Sequence, residues 1–187
     1  MEKINVMYVV YCLEPGGLEN VVVNVVNNLN PEFFKPFICS FKKDGFLKHR
    51  IKEGIEIIEI NKGEKNDFFL PFRLKRLFKK KNIHVVHTHN WATCCEGIIG
   101  ALLASVPVII HAERGTFVNM VGQKRRRIWA ERLLFNWIDQ VMTVSEDLRE
   151  IMIKYLHLNK QKIIVIGNGV DVEKFACLDE KKQQIRK

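Results

Sequence analysis

Short apolar runs rich in Val and Ile alternate along the chain with stretches whose apolar residues recur at helical spacing. The runs Ile4–Tyr11, Pro36–Phe41, Ile55–Ile60, Ile83–Thr88, Val106–His111, Gln140–Val144 and Lys162–Ile166 predict strands. Between them the spacing predicts helices over Gly17–Leu29, Phe46–Glu53, Phe68–Lys81, Trp91–Ala104, Gln123–Trp137 and Ser145–His157. Asn61–Asp67 reads as a polar loop, and a longer loop follows the fifth strand to about Met120. Strands that are apolar throughout are buried on both faces. Their alternation with helices predicts an α/β fold: a Rossmann-like parallel sheet of about seven strands, sandwiched by helices. The charged tail from Asp179 reads as a frayed end.

Ligands of such sheets bind beyond the carboxyl ends of the strands, where strand order reverses. The loops that follow each strand therefore carry the candidates. The first is Glu14-Pro15-Gly16-Gly17. Glycine lets a ligand approach main-chain N–H groups, and the helix that starts there offers unpaired donors and a positive dipole end to a phosphate. A plain turn explains Gly16 and Gly17 equally well, and GxGxxG is absent. Glu19 lies in the first helical turn, where capping is its first role and ligand binding its second. After the fourth strand comes His87-Thr88-His89-Asn90. Alternation puts His87 and His89 on one face, but no acidic or Cys partner stands at metal-ligand spacing. The simpler reading makes His87 a core residue, His89 and Asn90 polar groups at the crevice, and Asn90 a cap for the next helix.

The fifth strand ends in His111-Ala112-Glu113-Arg114-Gly115. Polar groups directly after Val-Ile-Ile are costly to bury without partners, which favours a functional His111 and leaves Glu113 and Arg114 open. Ser145 precedes Glu146-Asp147 and reads as an N-cap, with a ligand contact from its hydroxyl as the lesser alternative.

Composition narrows the class without choosing the ligand. At 187 residues, 47% of them apolar, the chain suits one domain with a full core. Its +9 charge favours anionic company: nucleic acid, acidic lipid surfaces or phosphorylated small molecules. Five cysteines without a CxxC pair point to a reducing cytoplasm rather than a disulfide scaffold or zinc site. The opening residues do not read as a signal peptide, and no apolar run approaches the ~20 residues of a membrane span.

Taken together and in order, PGGLENVVVNVVNNL (15–29), VVHTHNWAT (85–93), PVIIHAERGT (107–116), VMTVSEDLRE (141–150) and IIVIGNGVDVEKF (163–175) resemble the N-terminal domain of family 4 glycosyltransferases. The subgroup they are most similar to is the sugar transferases of PEP-CTERM exopolysaccharide systems. The resemblance implies the N-terminal, acceptor-side half of a GT-B fold over 1–175. It makes 176–187 the start of an interdomain connection or a frayed tail, with the C-terminal donor-binding domain absent. It implies a retaining enzyme that moves a sugar from a nucleotide-sugar donor to a glycan or lipid-linked acceptor, without metal or other cofactor. Gly16 and Gly17 would then border the donor diphosphate and His111 the transferred sugar as the catalytic residue. Glu19, His89, Asn90, Glu113, Arg114 and Ser145 would contact acceptor or sugar. The subgroup usually reads His-Gly-Glu-His-Gly where this chain has His-Ala-Glu-Arg-Gly, so the role of position 114 departs from the pattern. Near relatives often carry Arg where this chain has His89.

Two segments, 70–82 and 123–132, are strongly basic. Leu70, Leu74, Leu77 and Phe78 form an apolar stripe that an ordinary helix would pack on the sheet, leaving a solvated basic face. The alternative expectation is a peripheral contact with an anionic membrane at its cytoplasmic face. A GT-B sugar-nucleotide epimerase is the rival enzyme. A non-enzymatic basic module binding membrane or nucleic acid is the rival outside enzymology, although no nucleic-acid-reading motif supports it.

Overall fold

The structure is a computed structural model that describes residues 2–63, 67–115 and 125–169, with Arg125 described by its backbone only. All seven expected strands form, as one wholly parallel sheet in the order β3-β2-β1-β4-β5-β6-β7. They are β1 (Ile4–Val10), β2 (Phe34–Ser40), β3 (Glu56–Glu59), β4 (Val85–His89), β5 (Val108–Glu113), β6 (Gln140–Thr143) and β7 (Ile163–Val165). The helices are α1 (Gly17–Asn28), α2 (Leu70–Lys80), α3 (Asn90–Ala104), α4 (Arg125–Asn136) and α5 (Glu146–Leu156). The α/β, Rossmann-like expectation holds.

The chain runs outward from β1 to β3, then returns to lay β4 on the other side of β1. Strand order therefore reverses between β1 and β4, and the ligand crevice of a doubly wound sheet opens there. Right-handed crossovers put α1 on one face and α2 to α5 on the other. Two cores follow. Val22, Val23 and Val26 of α1 pack on Val6, Tyr8, Val10 and Ile38. The larger core joins Leu70, Leu74 and Phe78 of α2, Ile98 and Ala101 of α3, Phe135 of α4 and Met152 of α5 to Met7, Val9, Val86, Ile109 and Val141 of the sheet. The α2 stripe thus packs inward, as an ordinary amphipathic helix would.

Gly97 and Gly100 let α3 approach its neighbours closely. A Cβ would come within 2.5 Å of the Thr88 side chain at Gly97 and within 2.7 Å of Leu74 at Gly100.

Two expectations need correction. The helix over Phe46–Glu53 is a 3-10 turn at Phe46–Arg50, after which Ile51 turns extended. Asn27 of α1 takes over the backbone beyond it, accepting from Lys52 N–H at 2.9 Å and donating to Arg50 O at 2.7 Å. The fifth strand was expected at Val106–His111 but runs to Glu113, because Ala112 pairs with His89 and Glu113 with Thr143. His111 and Glu113 are therefore one pleat apart on the same face. The loop to Met120 lies outside the described residues from 116 onward. So do Gln123 and Lys124 of the second basic cluster, and everything after Gly169.

Candidate functional site

At the corner between β1 and α1, Gly16 is the N-cap of α1 in extended conformation and offers no side-chain cap. Its carbonyl accepts from Asn20 twice, from the backbone N–H at 3.0 Å and from the side-chain amide at 2.7 Å. Glu19 folds its carboxylate back over Gly16, where any Cβ would collide with it, while the space beside Gly17 is open. A side chain at position 16 would therefore have to displace the flexible end of Glu19, while the backbone there is ordinary extended chain. The described hydrogen bonds give Glu19 no capping bond, so its part in ending the helix is the charge it sets against the dipole.

Across the order reversal, β4 brings His87 and His89 onto the α1 face, as alternation required. Their ring centroids lie 4.3 Å apart, tilted by 33°, with Tyr8 of β1 5.3 Å from His87 and, near-parallel, 6.1 Å from His89. His89 Nδ1–H donates to Val9 O at 3.3 Å, and His87 Nε2 is buried without a partner. Burial lowers the His87 imidazole to about 3, helped by the nearby Arg114 and His111, and holds His89 well below its usual range. Tyr8 is pushed up to about 12 by burial. The stack is thus wholly neutral near pH 7.

Asn90 does not cap α3. It opens the helix with φ +53, and its Oδ1 accepts from Arg114 N–H at 2.8 Å, which ties the end of β4 to the end of β5. The helix start is held instead by Thr93, whose hydroxyl accepts from His89 N–H at 2.9 Å and donates to His89 O at 2.8 Å.

His111 sits on the opposite face, beneath α3 and α4, and is fully enclosed. Its Nδ1 lies 2.8 Å from the Thr88 hydroxyl and its ring 4.9 Å from Phe135, while Nε2 has no hydrogen-bond partner. Glu113, also buried, accepts from Gly115 N–H at 3.2 Å and approaches both His111 Nε2 and Arg127 Nη2 at 3.8 Å. Arg127 lies over Trp91 at 4.7 Å and pairs with the buried Glu131 at 2.8 Å. Desolvation raises Glu131 above the usual carboxylate range, and its Oε2 is unpartnered. The polar line Thr88–His111–Glu113–Arg127–Glu131 so runs from the sheet into α4.

Arg114 is half-buried. Its Nη1 donates to Asn168 Oδ1 at 2.5 Å, Nε is buried without a partner, and desolvation lowers its pKa. Ser145 caps α5 by accepting from Leu148 N–H at 3.2 Å.

The fold therefore gathers Gly16, Gly17, Glu19, His89, Asn90, Glu113, Arg114 and Ser145 at the carboxyl edge. Gly16–Gly17 follow β1, and His111 lies near the carboxyl end of β5, two strands away across the order reversal. The His111 ring is turned under the helices rather than toward the crevice. A cavity of about 690 Å³ lined by Asn27, Leu29, Phe34, Lys52 and Ile55 lies at the opposite edge, away from these loops. The sequence reading missed Thr88, Thr93, Arg127 and Glu131. One signal was available: Glu131 stands on the apolar stripe Ile128–Leu134–Phe135, four residues after Arg127.

Comparison with known proteins places these loops in context. The family profile for Glycosyltransferase Family 4 matches residues 15–174. The chain is 36% identical over 106 residues to the UDP-Gal:alpha-D-GlcNAc-diphosphoundecaprenol alpha-1,3-galactosyltransferase of Escherichia coli, covering 55% of this chain and 27% of that protein. It is 28% identical over 98 residues to the alpha-maltose-1-phosphate synthase of Mycobacterium tuberculosis, covering 48% of this chain and 25% of the other. Among solved structures, HepE of Anabaena in complex with UDP and glucose superposes with TM-score 0.75 at 13% identity, over 97% of this chain and 50% of that one. The UDP-GlcNAc 2-epimerase of Neisseria meningitidis superposes with TM-score 0.61 at 16% identity, over 97% and 52%. The chain thus spans about a quarter of those sequence relatives and about half of the solved structures. Fold likeness at these identities covers transferases and epimerases alike.

Proposed function

The chain belongs to glycosyltransferase family 4, and on that premise we propose that it is the acceptor-side half of a retaining GT-B glycosyltransferase. The reaction proposed is transfer of a sugar from a nucleotide-sugar donor to a glycan or lipid-linked acceptor. The observation that carries this reading is the family match over 15–174, whose loops meet at the carboxyl edge beside the order reversal. The family match also favours a transferase over the epimerase that shares the fold. The E. coli relative, named for a diphosphoundecaprenol-linked acceptor, supports the lipid-linked class. The finer placement, polysaccharide biosynthesis akin to that of PEP-CTERM-type exopolysaccharide transferases, rests on the five strand-end motifs taken together, from which position 114 departs.

In this reading the domain is 1–175, and residues 176–187 lead toward a donor-binding half that grips the nucleotide. Gly16 and Gly17 receive the donor diphosphate, with the Glu19 carboxylate that lies beside Gly16 moving aside. His111 serves the transferred sugar, and its unpartnered Nε2 is the lone pair or proton available for that role. Glu19, His89, Asn90, Glu113, Arg114 and Ser145 contact acceptor or sugar. Behind them the neutral, buried His87–His89–Tyr8 cluster keeps the adjoining end of the crevice free of charge. No metal or other cofactor is invoked. Electrostatic stabilisation of the leaving diphosphate is a large catalytic contribution, and here it falls to the other half. The enzyme would work in the cytoplasm, at the inner face of the plasma membrane, with the basic segments 70–82 and 123–132 facing anionic lipid.

The test is transfer of label from UDP-sugars to lipid-linked acceptors, by residues 1–187 and by the polypeptide extended through its donor-binding half. The extended protein is expected to turn over and 1–187 to be inert. Turnover by 1–187 alone would overturn the division of labour. Interconversion of UDP-sugars without acceptor would replace the transferase with the epimerase.

A further inference from the structure

Thr88 puts a hydroxyl where the core has no need of one. It is fully enclosed in β4, the middle strand of the seven. Met7 and Val9 of β1 and Val86 of β4 face the same core, and valine would fill the place of Thr88 equally well. A buried hydroxyl costs stability unless it is hydrogen-bonded, so this one calls for a partner. Its direction is fixed from above. A Cβ at Gly97 would come within 2.5 Å of Thr88 Cγ2, which shows that α3 lies directly on the methyl group. A β-branched side chain has few χ1 choices, and with the methyl held under α3 the hydroxyl points to the next strand. There the ladder pairs Thr88 with His111, and Oγ1 lies 2.8 Å from His111 Nδ1. Phe135 covers the imidazole at 4.9 Å and limits its rotation.

The contact can be made in two ways. Either the hydroxyl donates to a bare Nδ1, or it accepts from Nδ1–H and turns its own proton to Ile110 O at 3.4 Å. The second way stretches the hydroxyl bond past the usual ~2.5–3.0 Å. It also leaves the Nε2 lone pair facing the carboxylate of Glu113, whose Oε2 is 3.8 Å away in a buried site. Two centres of negative charge would then oppose each other where burial leaves them poorly screened. The first way turns an N–H to that carboxylate instead. On the far side of Glu113, Arg127 Nη2 stands 3.8 Å from the same oxygen and is anchored through Glu131 at 2.8 Å, so the carboxylate stays between guanidinium and imidazole. We infer that Thr88 is a positioning residue: by donating to Nδ1 opposite Glu113, it holds His111 as the Nε2–H tautomer, and the imidazole meets the transferred sugar as a hydrogen-bond donor and not as a base. The task of His111 is taken from the function proposed above, whereas the tautomer rests on the geometry alone. A donor at Nε2 suits a sugar hydroxyl oxygen, which can accept.

The experiment is a long-range proton–nitrogen correlation spectrum of isotopically labelled residues 1–187 at about pH 8, above the ordinary imidazole range. Protonated and bare ring nitrogens resonate far apart, and Nε2 couples strongly to both ring carbon protons, so the tautomer is read directly. His111→Gln deletes the signal and thereby assigns it. The parent is expected to show a protonated Nε2 and a bare Nδ1 at His111. His89, whose Nδ1–H donates to Val9 O, supplies the opposite pattern for reference. Thr88→Val keeps the shape and removes the donor, so the His111 nitrogens should move toward the average of the two tautomers. Thr88→Ser should return them to the parent positions. The inference is overturned if the parent carries its proton on Nδ1, if valine leaves the His111 nitrogens unchanged, or if serine does not restore them. Should Thr88→Val fail to fold, the parent spectrum and the serine variant still decide. In the extended protein, Thr88→Val should lower kcat about tenfold with KM nearly unchanged, as loss of one orienting hydrogen bond implies, and Thr88→Ser should recover most of it. A kcat equal to the parent's would overturn the positioning role. An extended protein that transfers no sugar at all refutes the function proposed above instead, and the spectra then decide the tautomer by themselves.

Discussion

Acidification should unfold this protein from inside the histidine stack. His87 is 8% exposed, its Nε2 has no partner, and its imidazole is lowered from 6.5 to about 3. Burial is the main cause, with the Arg114 and His111 charges second. The unfolded chain therefore takes up a proton through the window from 6.5 down to about 3 that the native state refuses. Stability from this group is full above pH 6.5 and is lost progressively as pH falls through that window. Between about pH 7 and about pH 4.5, linkage with those two values gives a loss of about 2.5 kcal/mol from His87 alone. His89 acts with the same sign. His87→Phe keeps a flat ring against Tyr8 and His89 but cannot titrate, and His87→Gln serves as a smaller polar control. Urea unfolding followed by tryptophan fluorescence at the two pH values measures the difference. The parent should lose about 2.5 kcal/mol more than either variant on acidification. An equal loss in parent and variants would refute the argument that this imidazole is held neutral by burial.

Two further outcomes test neighbouring parts of the site. Glu131 has its folded pKa raised by desolvation, so the native state holds its proton more tightly than the unfolded chain does. Its contribution to stability then falls as pH rises from the ordinary carboxylate range through the folded value. Glu131→Gln should remove that decline in a pH series of denaturant midpoints. Thr93→Val deletes the hydroxyl that serves both His89 N–H and His89 O, and should cost about 1–2 kcal/mol in thermal or urea unfolding.

The apolar runs made the strands legible, and their ends were read to within about two residues for a plain reason. A strand buried on both faces has no polar position to blur it. The two-residue difference at β5 was nonetheless the one that mattered. Ala112 and Glu113 join the strand only because His89 and Thr143 lie beside them, and local composition carries no trace of those neighbours. Capping followed the same rule. Ser145 was legible because Glu146 and Asp147 follow it in a standard first turn. Asn90 was misread because its carbonyl oxygen is claimed by Arg114 N–H, 24 residues away. On α2 the buried stripe of Leu70, Leu74 and Phe78 was visible from spacing. The exposure of Phe68, Phe69 and Phe72 was not, since an aromatic residue near an apolar stripe reads as part of it.

The sequence by itself determined the α/β alternation, the identity of the strand-end loops and the family, because periodicity and short motifs are properties of neighbouring residues. Only the tertiary structure decided which loops face one another. Strand order put the reversal between β1 and β4, packed the His87 and His89 rings against Tyr8, and turned His111 beneath α4 instead of toward the crevice. Those are long-range choices made by how helices and strands bury area against each other, and no local pattern encodes them.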